Sequence, residues 1–355
     1  MLSLGAEYVW LDVLCLRQKD GPREDLRAEE WKLDVPTIGA VYRFSEVVIW
    51  YLSGLGRPLS IKEDYLESDQ CWFRRAWTLQ EIGRNQIIAG DIPDGPLHRD
   101  TQVVDEDMKK ILTRFHKQLM SVSQHRLGMF DVLSQMQKRV STVPVDKVAG
   151  LAFCLGSKMI PAYYESQSLE DAWIALVNVM GGWYRAQLFF LYPEPGNASQ
   201  RWRPSWGQVM TEPMPVDCYC SAMVDRNEEA DGDLFDGYCI ERGFVRGLAV
   251  GGAEGVDRYG MLIVDDVHGK SHTFKIIATH QHLLPEDRYT LLSTTSPLRR
   301  WQGRRRSVIE QYWVAGRRSS NQRFEKFSVF KMADETEVKK LKDLRIAKRS
   351  HNYLV

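Results

Sequence analysis

An α/β fold with an open parallel sheet, followed by a helical stretch and a small antiparallel β domain, is predicted by three observations. Residues 8–16 and 47–52 are apolar on both faces apart from Asp12, as strands buried in a parallel sheet are. The segments around them repeat at helical spacing, giving the order strand, helix, strand, helix, strand. Past Asp236 the chain breaks into short β-rich runs separated by Gly or Pro.

The first region, residues 1–100, begins with the apolar run Tyr8 to Leu16 and a polar loop. Asp34 and Pro36 mark a helix start that Ile38, Val41 and Tyr42 continue. Val47 to Leu52 reads as a second buried strand, closed by Gly54 and Gly56, and Gln86 to Ala89 as a third. Residues 101–220 read as helical, with two helices broken near Ser121 to Gln124 and two more at Asp146 to Leu155 and Ser168 to Met180. Residues 237–333 form the β-rich domain, with runs at 239–250, 260–267, 272–279, 288–293, 309–315 and 324–331. In residues 334–355 a helix from Asp334 to Lys348 carries Val338, Leu341 and Leu344 on one stripe, followed by a tail.

At 355 residues and 44% hydrophobic, the chain can bury a sizeable core. It has no run of eighteen apolar residues and no secretory leader pattern, so a cytoplasmic protein without a membrane partner is expected. The six cysteines form no C-x-x-C pair and read as reduced thiols, and Cys218 and Cys220 alone make a poor zinc site. Residues 237–355 carry 22 Lys and Arg against 13 Asp and Glu, whereas the first 236 carry the opposite excess. The densest basic cluster is Arg299, Arg300, Arg304, Arg305 and Arg306. It reads as a solvated loop before a nucleic-acid patch, because regular aromatic interleaving is absent.

Chemistry concentrates in Trp72 to Ile82. As a helix this segment would place Trp77 beside Glu81 and set Trp72, Ala76 and Leu79 inward. A carboxylate near a helix C-terminus meets the negative end of the dipole, so Glu81 needs compensation. Arg84 would make it a plain ion pair; the alternative is a half-buried acid in a cleft. A helix beginning at Asp69 would set Glu81 about 18 Å along its axis, and one beginning near Arg74 about 10 Å. Only the latter keeps Glu81 near the mouth of an open sheet.

Asp12, inside an apolar strand, needs a hydrogen-bond network or a helix N-terminus. His268, His272, His280 and His282 read as hairpin residues before a metal site, and no metal is expected. Gly54-Leu55-Gly56 lacks a dinucleotide fingerprint, and neither a G-x-S-x-G elbow nor a P-loop occurs.

Tyr8 to Gln18, then Gly39-Ala40-Val41-Tyr42 leading into Val48-Ile49-Trp50, then Arg75-Ala76-Trp77-Thr78-Leu79-Gln80-Glu81 resemble, in order and spacing, the HET domain of fungal heterokaryon-incompatibility proteins. Asp146 to Leu151 and Pro204-Ser205-Trp206 resemble segments that follow it. The family opens with a further strand, and only seven residues precede Tyr8, so the resemblance implies an N-terminally incomplete domain that lacks its first strand. It also implies an effector or adaptor in non-self recognition and regulated cell death, with protein partners or self-association. HET domains more distantly resemble Toll/interleukin-1-receptor (TIR) domains, which implies a flavodoxin-like open sheet and, in some members, NAD cleavage. Glu81 would then be the catalytic carboxylate with Trp77 against its stem, Asp12 and Gln18 would line the site, and Arg75 and Gln80 would be further motif residues. NAD would be substrate and no cofactor is implied.

Overall fold

The computed structural model describes residues 7–52, 63–82, 85–89, 106–123, 128–157, 159–216, 222–294 and 310–355. The chain is mixed α/β and divides into two compact units. One is Met1–Leu127 with Val132–Met180; the other is Gly128–Asp131 with Gly181–Val355. The helical stretch expected over 101–220 is thus shared between the units.

In the first unit, residues 8–16 are not a buried strand. Tyr8 to Leu11 is irregular and Asp12–Cys15 is a single helical turn, α1. Tyr8, Val9, Val13 and Leu14 are exposed. An apolar run alone does not make a strand, which needs a neighbour to pair with. The polar loop expected next contains a helix, α2 (Arg27–Asp34), fastened by Arg17, which grips Glu30 at 2.8 and 2.9 Å, and by the Trp31 indole donating to the Arg17 carbonyl. A 3-10 turn, Val35–Thr37, with Pro36 in its first turn, leads into α3 (Ile38–Phe44).

β1 (Val48–Tyr51), the short helix α4 (Glu63–Leu66) and β2 (Gln86–Ala89) follow. β1 and β2 pair in parallel, Val48 opposite Gln86. Val48, Trp50 and Leu52 pack with Leu66, Trp72 and Phe115. Phe115 belongs to α5 (Glu106–Ser123), whose Ile111, Phe115 and Leu119 form one stripe at intervals of four residues. The helices α6 (Met129–Gln137), α7 (Asp146–Ala152) and α8 (Leu169–Val179) agree with the expected periodicity. Ser168 caps α8 by accepting from the Asp171 amide at 3.1 Å.

The second unit begins with α9 (Gly182–Phe190) and α10 (Trp206–Thr211), both within the stretch expected to be helical but not assigned individually from the sequence. Its sheet comprises β3 (Asp225–Asn227), β4 (Gly232–Arg246), β5 (Arg258–Asp265), β6 (Ser271–Ala278), β7 (Asp287–Ser293), β8 (Tyr312–Arg318), β9 (Arg323–Met332) and, after α11 (Glu335–Asp343), β10 (Lys348–Leu354). The pairing order β4-β5-β6-β9-β8-β7 returns to β4, so six strands form a closed ring that leaves no free edge between them. β4 serves both ends of the ring because a bulge between Ile240 and Gly243 bends it. Gly243 has no room for a side chain there, since a Cβ would lie 2.5 Å from Leu291 Cδ1. Leu262, Val264, Phe274, Ile276, Leu291, Trp313 and Phe330 fill the interior with Val338 and Leu341 of α11. Residues 348–354, expected as helix end and tail, pair with β4 and, at two positions, with β9.

Candidate functional site

The segment Trp72 to Ile82 is not one helix. It forms two 3-10 turns, Trp72–Arg74 and Trp77–Leu79, with Arg75 extended between them. Tertiary pairing overrides the helical pattern here. Ala76 N–H donates to the Val140 carbonyl at 2.9 Å and Val140 N–H to the Arg74 carbonyl at 2.6 Å. The Thr78 hydroxyl engages the carbonyls of Trp72 and Arg75 at 2.6 and 2.7 Å, a local competitor for helical hydrogen bonds. The distances of Glu81 along a helix, and its meeting with a helix C-terminus, therefore do not apply.

Glu81 follows the second turn. The Trp72 indole N–H donates to Oε2 at 2.7 Å and the Trp50 indole N–H to the Glu81 carbonyl at 2.8 Å, with the two rings 4.8 Å apart. Trp72 and Trp50 thus hold Glu81, in place of Trp77. Burial pushes its carboxyl up to about 7, although the Trp72 bond and the charges of Arg75 and Arg139 pull the other way; Asp12 pushes it further up. The residue as a whole stays partly exposed. Arg84, the candidate ion-pair partner, lies outside the described residues.

Tyr42 joins this group. Burial raises its phenol above the usual value and the charges of Glu81 and Asp12 add to the rise, with Arg75 opposing. The ring of Trp10 meets Tyr42 edge-on at 5.5 Å, tying the start of the chain to α3. Asp12 is half-buried on α1, where its Oδ1 accepts from the Val13 amide at 2.8 Å; it is not a charge enclosed in a strand. Gln18 is exposed and spends its amide on the carbonyls of Leu16 and Asp12, so it closes a turn. The other polar motif residue, Gln80, is buried against α3, and a Cβ on Gly39 would lie 2.5 Å from its Oε1 and from Phe153 Cγ.

Trp77 belongs to a second network. Its side chain hydrogen-bonds Asp146, its ring lies 6.3 Å from Tyr163, and Asp146 also accepts from the hydroxyls of Ser141 and Tyr163 at 2.6 Å each. Burial raises the Asp146 carboxyl while these three donors lower it. Gly150, on the same helix as Asp146, approaches the Ala76 carbonyl closely enough that a Cβ would be 3.3 Å away.

Arg139 was invisible to sequence reasoning, being one more charge at the end of an amphipathic helix. It is 1% exposed, and its Nη1 donates to the Arg75 carbonyl at 2.7 Å and to the Thr78 hydroxyl. Its Nε and Nη2 find no acceptor among the described residues. Burial lowers the guanidinium to about 10, against the charges of Cys154, Glu81 and Cys71. An apolar pocket nearby is bounded by Pro36, Val148, Ile160, Tyr163 and Leu176, but not by Asp12, Tyr42, Trp72, Arg75 or Glu81.

In the second unit, Pro204-Ser205-Trp206 opens α10 with a reciprocal cap: the Gln208 amide donates to Ser205 Oγ and the Ser205 amide to Gln208 Oε1. Three of the four histidines are spent on structure. His280 and His282 bond the carbonyls of Val329 and Phe327, and His272 bonds Asp266 at 2.9 Å. Among the described residues no three His, Cys, Asp or Glu side chains converge to hold a metal ion. Cys218, Cys220, Gly54, Gly56 and the arginine cluster at 299–306 lie outside the described residues. No helix among the described residues is long and apolar enough to cross a membrane. No protein-family model, curated protein or solved structure matches this chain.

Proposed function

We propose that this chain is a cytoplasmic HET-type effector or adaptor of fungal non-self recognition and regulated cell death. One observation carries the reading: separated segments that bear the resemblance meet in the first unit. Gly39 backs onto Gln80, Tyr42 faces Asp12, Arg75 and Glu81, and Trp77 reaches Asp146. A set of residues matched by order along the chain gains weight when its members also lie close together in the fold. The parallel pair of β1 and β2 is consistent with the flavodoxin-like, TIR-like sheet that the resemblance implies. Expression of the chain in a fungal host is expected to arrest growth. Trp77→Phe, which keeps a ring beside Tyr163 but removes the N–H given to Asp146, is expected to relieve the arrest. Unimpaired growth of a host accumulating folded wild-type protein overturns the proposal.

A second reading is favoured by the buried Glu81 carboxyl near neutrality: hydrolysis of NAD at its nicotinamide–ribose bond. The C–N bond breaks with its electron pair leaving on nicotinamide. Glu81, freed from Trp72, stabilises the oxocarbenium-like ribose, and water adds to the anomeric carbon and gives up a proton. Glu81→Gln is expected to lower nicotinamide release by about 100-fold or more. Turnover undiminished in that variant, or absent from the wild type, rejects this chemistry and leaves the adaptor role.

A further inference from the structure

We propose that the apolar pocket of the first unit, with the groove that opens from it, binds a single straight alkyl chain ending in a carboxylate. The inner part is a slot of about 30 Å³ and the outer part a groove of about 340 Å³. Pro36, Ile160 and Ala162 border both, so the two make one passage. The groove has the volume of a small-molecule site, at the lower end of the usual ~300–1,000 Å³, whereas the slot has room for only about two water-sized spheres. A ring cannot enter so narrow an end; the tip of an alkyl chain can.

The sequence keeps this passage open and dry. Ala149 and Ala152 lie three apart on α7 and Ala172 of α8 lines the same slot, so the helices leave a gap that larger side chains would fill. Pro36 and Pro161 bring walls without an N–H, and the Tyr163 hydroxyl is spent on Asp146 at 2.6 Å. Gln167 supplies the slot's one side-chain amide. The walls are also fixed before anything binds. Arg27 grips Glu165 at 2.8 and 2.9 Å and the Tyr163 amide donates to the Lys32 carbonyl at 3.3 Å, fastening residues 160–165 to α2. A pre-shaped site loses less entropy on binding.

The mouth selects the head group. Leu33, 73% exposed, forms an apolar lip, and Lys32 borders the groove beside it. The Lys32 ammonium lies 5.3 Å from the centre of the Tyr164 ring, which lines the slot, so the charge stands at the passage rather than out in solvent. Its partner Glu29 is three residues away on the same helix and 74% exposed, and a pair of that kind is weak enough to exchange for a ligand carboxylate. Arg27 and Glu165 neutralise each other, which leaves Lys32 to recognise the head. The chain then lies tail inward with its carboxylate at the rim.

Isothermal titration of the full chain with hexanoate, octanoate and decanoate tests this. One alkyl chain per protein is expected, with affinity rising about fourfold per methylene, the equivalent of ~0.8 kcal/mol each. Ala162→Trp, which fills the passage from an exposed position, and Ala40→Leu, which narrows the groove from α3, are each expected to weaken decanoate binding at least about tenfold. The wild type is expected to prefer decanoate to decyltrimethylammonium, and Lys32→Glu to reverse that preference, with thermal unfolding showing that each variant is folded. Decanoate binding that fails to saturate below about 1 mM, or affinity that does not grow with the chain, would overturn the proposal. So would several chains per protein, folded groove variants that bind as the wild type does, or a head-group preference unchanged in Lys32→Glu.

Discussion

Replacing Glu81 by glutamine should make the protein more stable at pH 8 and not at pH 4.5, and the size of the effect follows from where the carboxyl sits. In the folded chain burial holds Glu81 at about 7, against an ordinary glutamate value of 4.5. Between those two values the unfolded chain has lost the proton and the folded chain keeps it. The folded state then binds more protons, so wild-type stability falls as pH rises from 4.5 and stops falling above about 7. Each pH unit in that window costs about 1.4 kcal/mol, which gives about 3 kcal/mol at most and roughly 2 kcal/mol after allowing for partial exposure. Glutamine has no proton to lose, and its carbonyl oxygen still accepts from the Trp72 indole, so the variant forfeits only about 0.5–1 kcal/mol of charge-assisted bonding. The net expectation is a variant about 1–2 kcal/mol more stable than wild type at pH 8, and equal or slightly less stable at pH 4.5. Urea unfolding from pH 4.5 to 8, followed by tryptophan emission, reads this directly because Glu81 bonds both Trp50 and Trp72. A stability difference that does not change with pH would refute the reasoning, since it would place Glu81 at an ordinary value in the fold. A glutamate that costs stability at neutral pH is the expected mark of a residue kept for function.

Other perturbations test the packing around that site and the second unit. Gly39→Ala should destabilise the first unit by about 2–3 kcal/mol, because the new Cβ meets both Gln80 Oε1 and Phe153 Cγ at 2.5 Å; thermal unfolding measures it. Asp146→Asn should cost about 1–3 kcal/mol in urea unfolding, since an amide cannot accept from Ser141, Trp77 and Tyr163 as the carboxylate does. Lys326→Met should cost about 2–4 kcal/mol in thermal unfolding. The fully buried amine donates to the carbonyls of Leu188, Phe189 and Tyr192 at the end of α9, and losing those bonds outweighs the relief of a buried charge. An Lys326→Met protein as stable as wild type would show the opposite balance.

The sequence by itself determined the elements whose information is local. The stripe of Ile111, Phe115 and Leu119, the Ser168 cap of α8 and the alternation of Leu262 with Val264 and of Phe274 with Ile276 each lie within a few neighbouring residues. The turn to a β-rich sequence was legible for the same reason, although the sheet begins earlier than Asp236, with β3 at Asp225 and the long β4 at Gly232. Tertiary structure alone decided what depends on a distant partner. The helical pattern of residues 72–82 lost to Val140, sixty residues away, and to the Thr78 hydroxyl. The apolar run 8–16 reads as a strand by composition, yet it pairs with no strand among the described residues, and apolar residues alone cannot satisfy a strand's backbone groups. Ring closure by β4 and β7 and the recruitment of residues 348–354 are pairings between strands tens to over a hundred residues apart, on which local periodicity is silent. The candidate site divides in the same way. Glu81, Trp77 and Asp12 were visible as residue types in a spacing, whereas Trp72 and Trp50 as the holders of Glu81, and Arg139 beneath Arg75 and Thr78, exist only because the fold carries separated segments into contact.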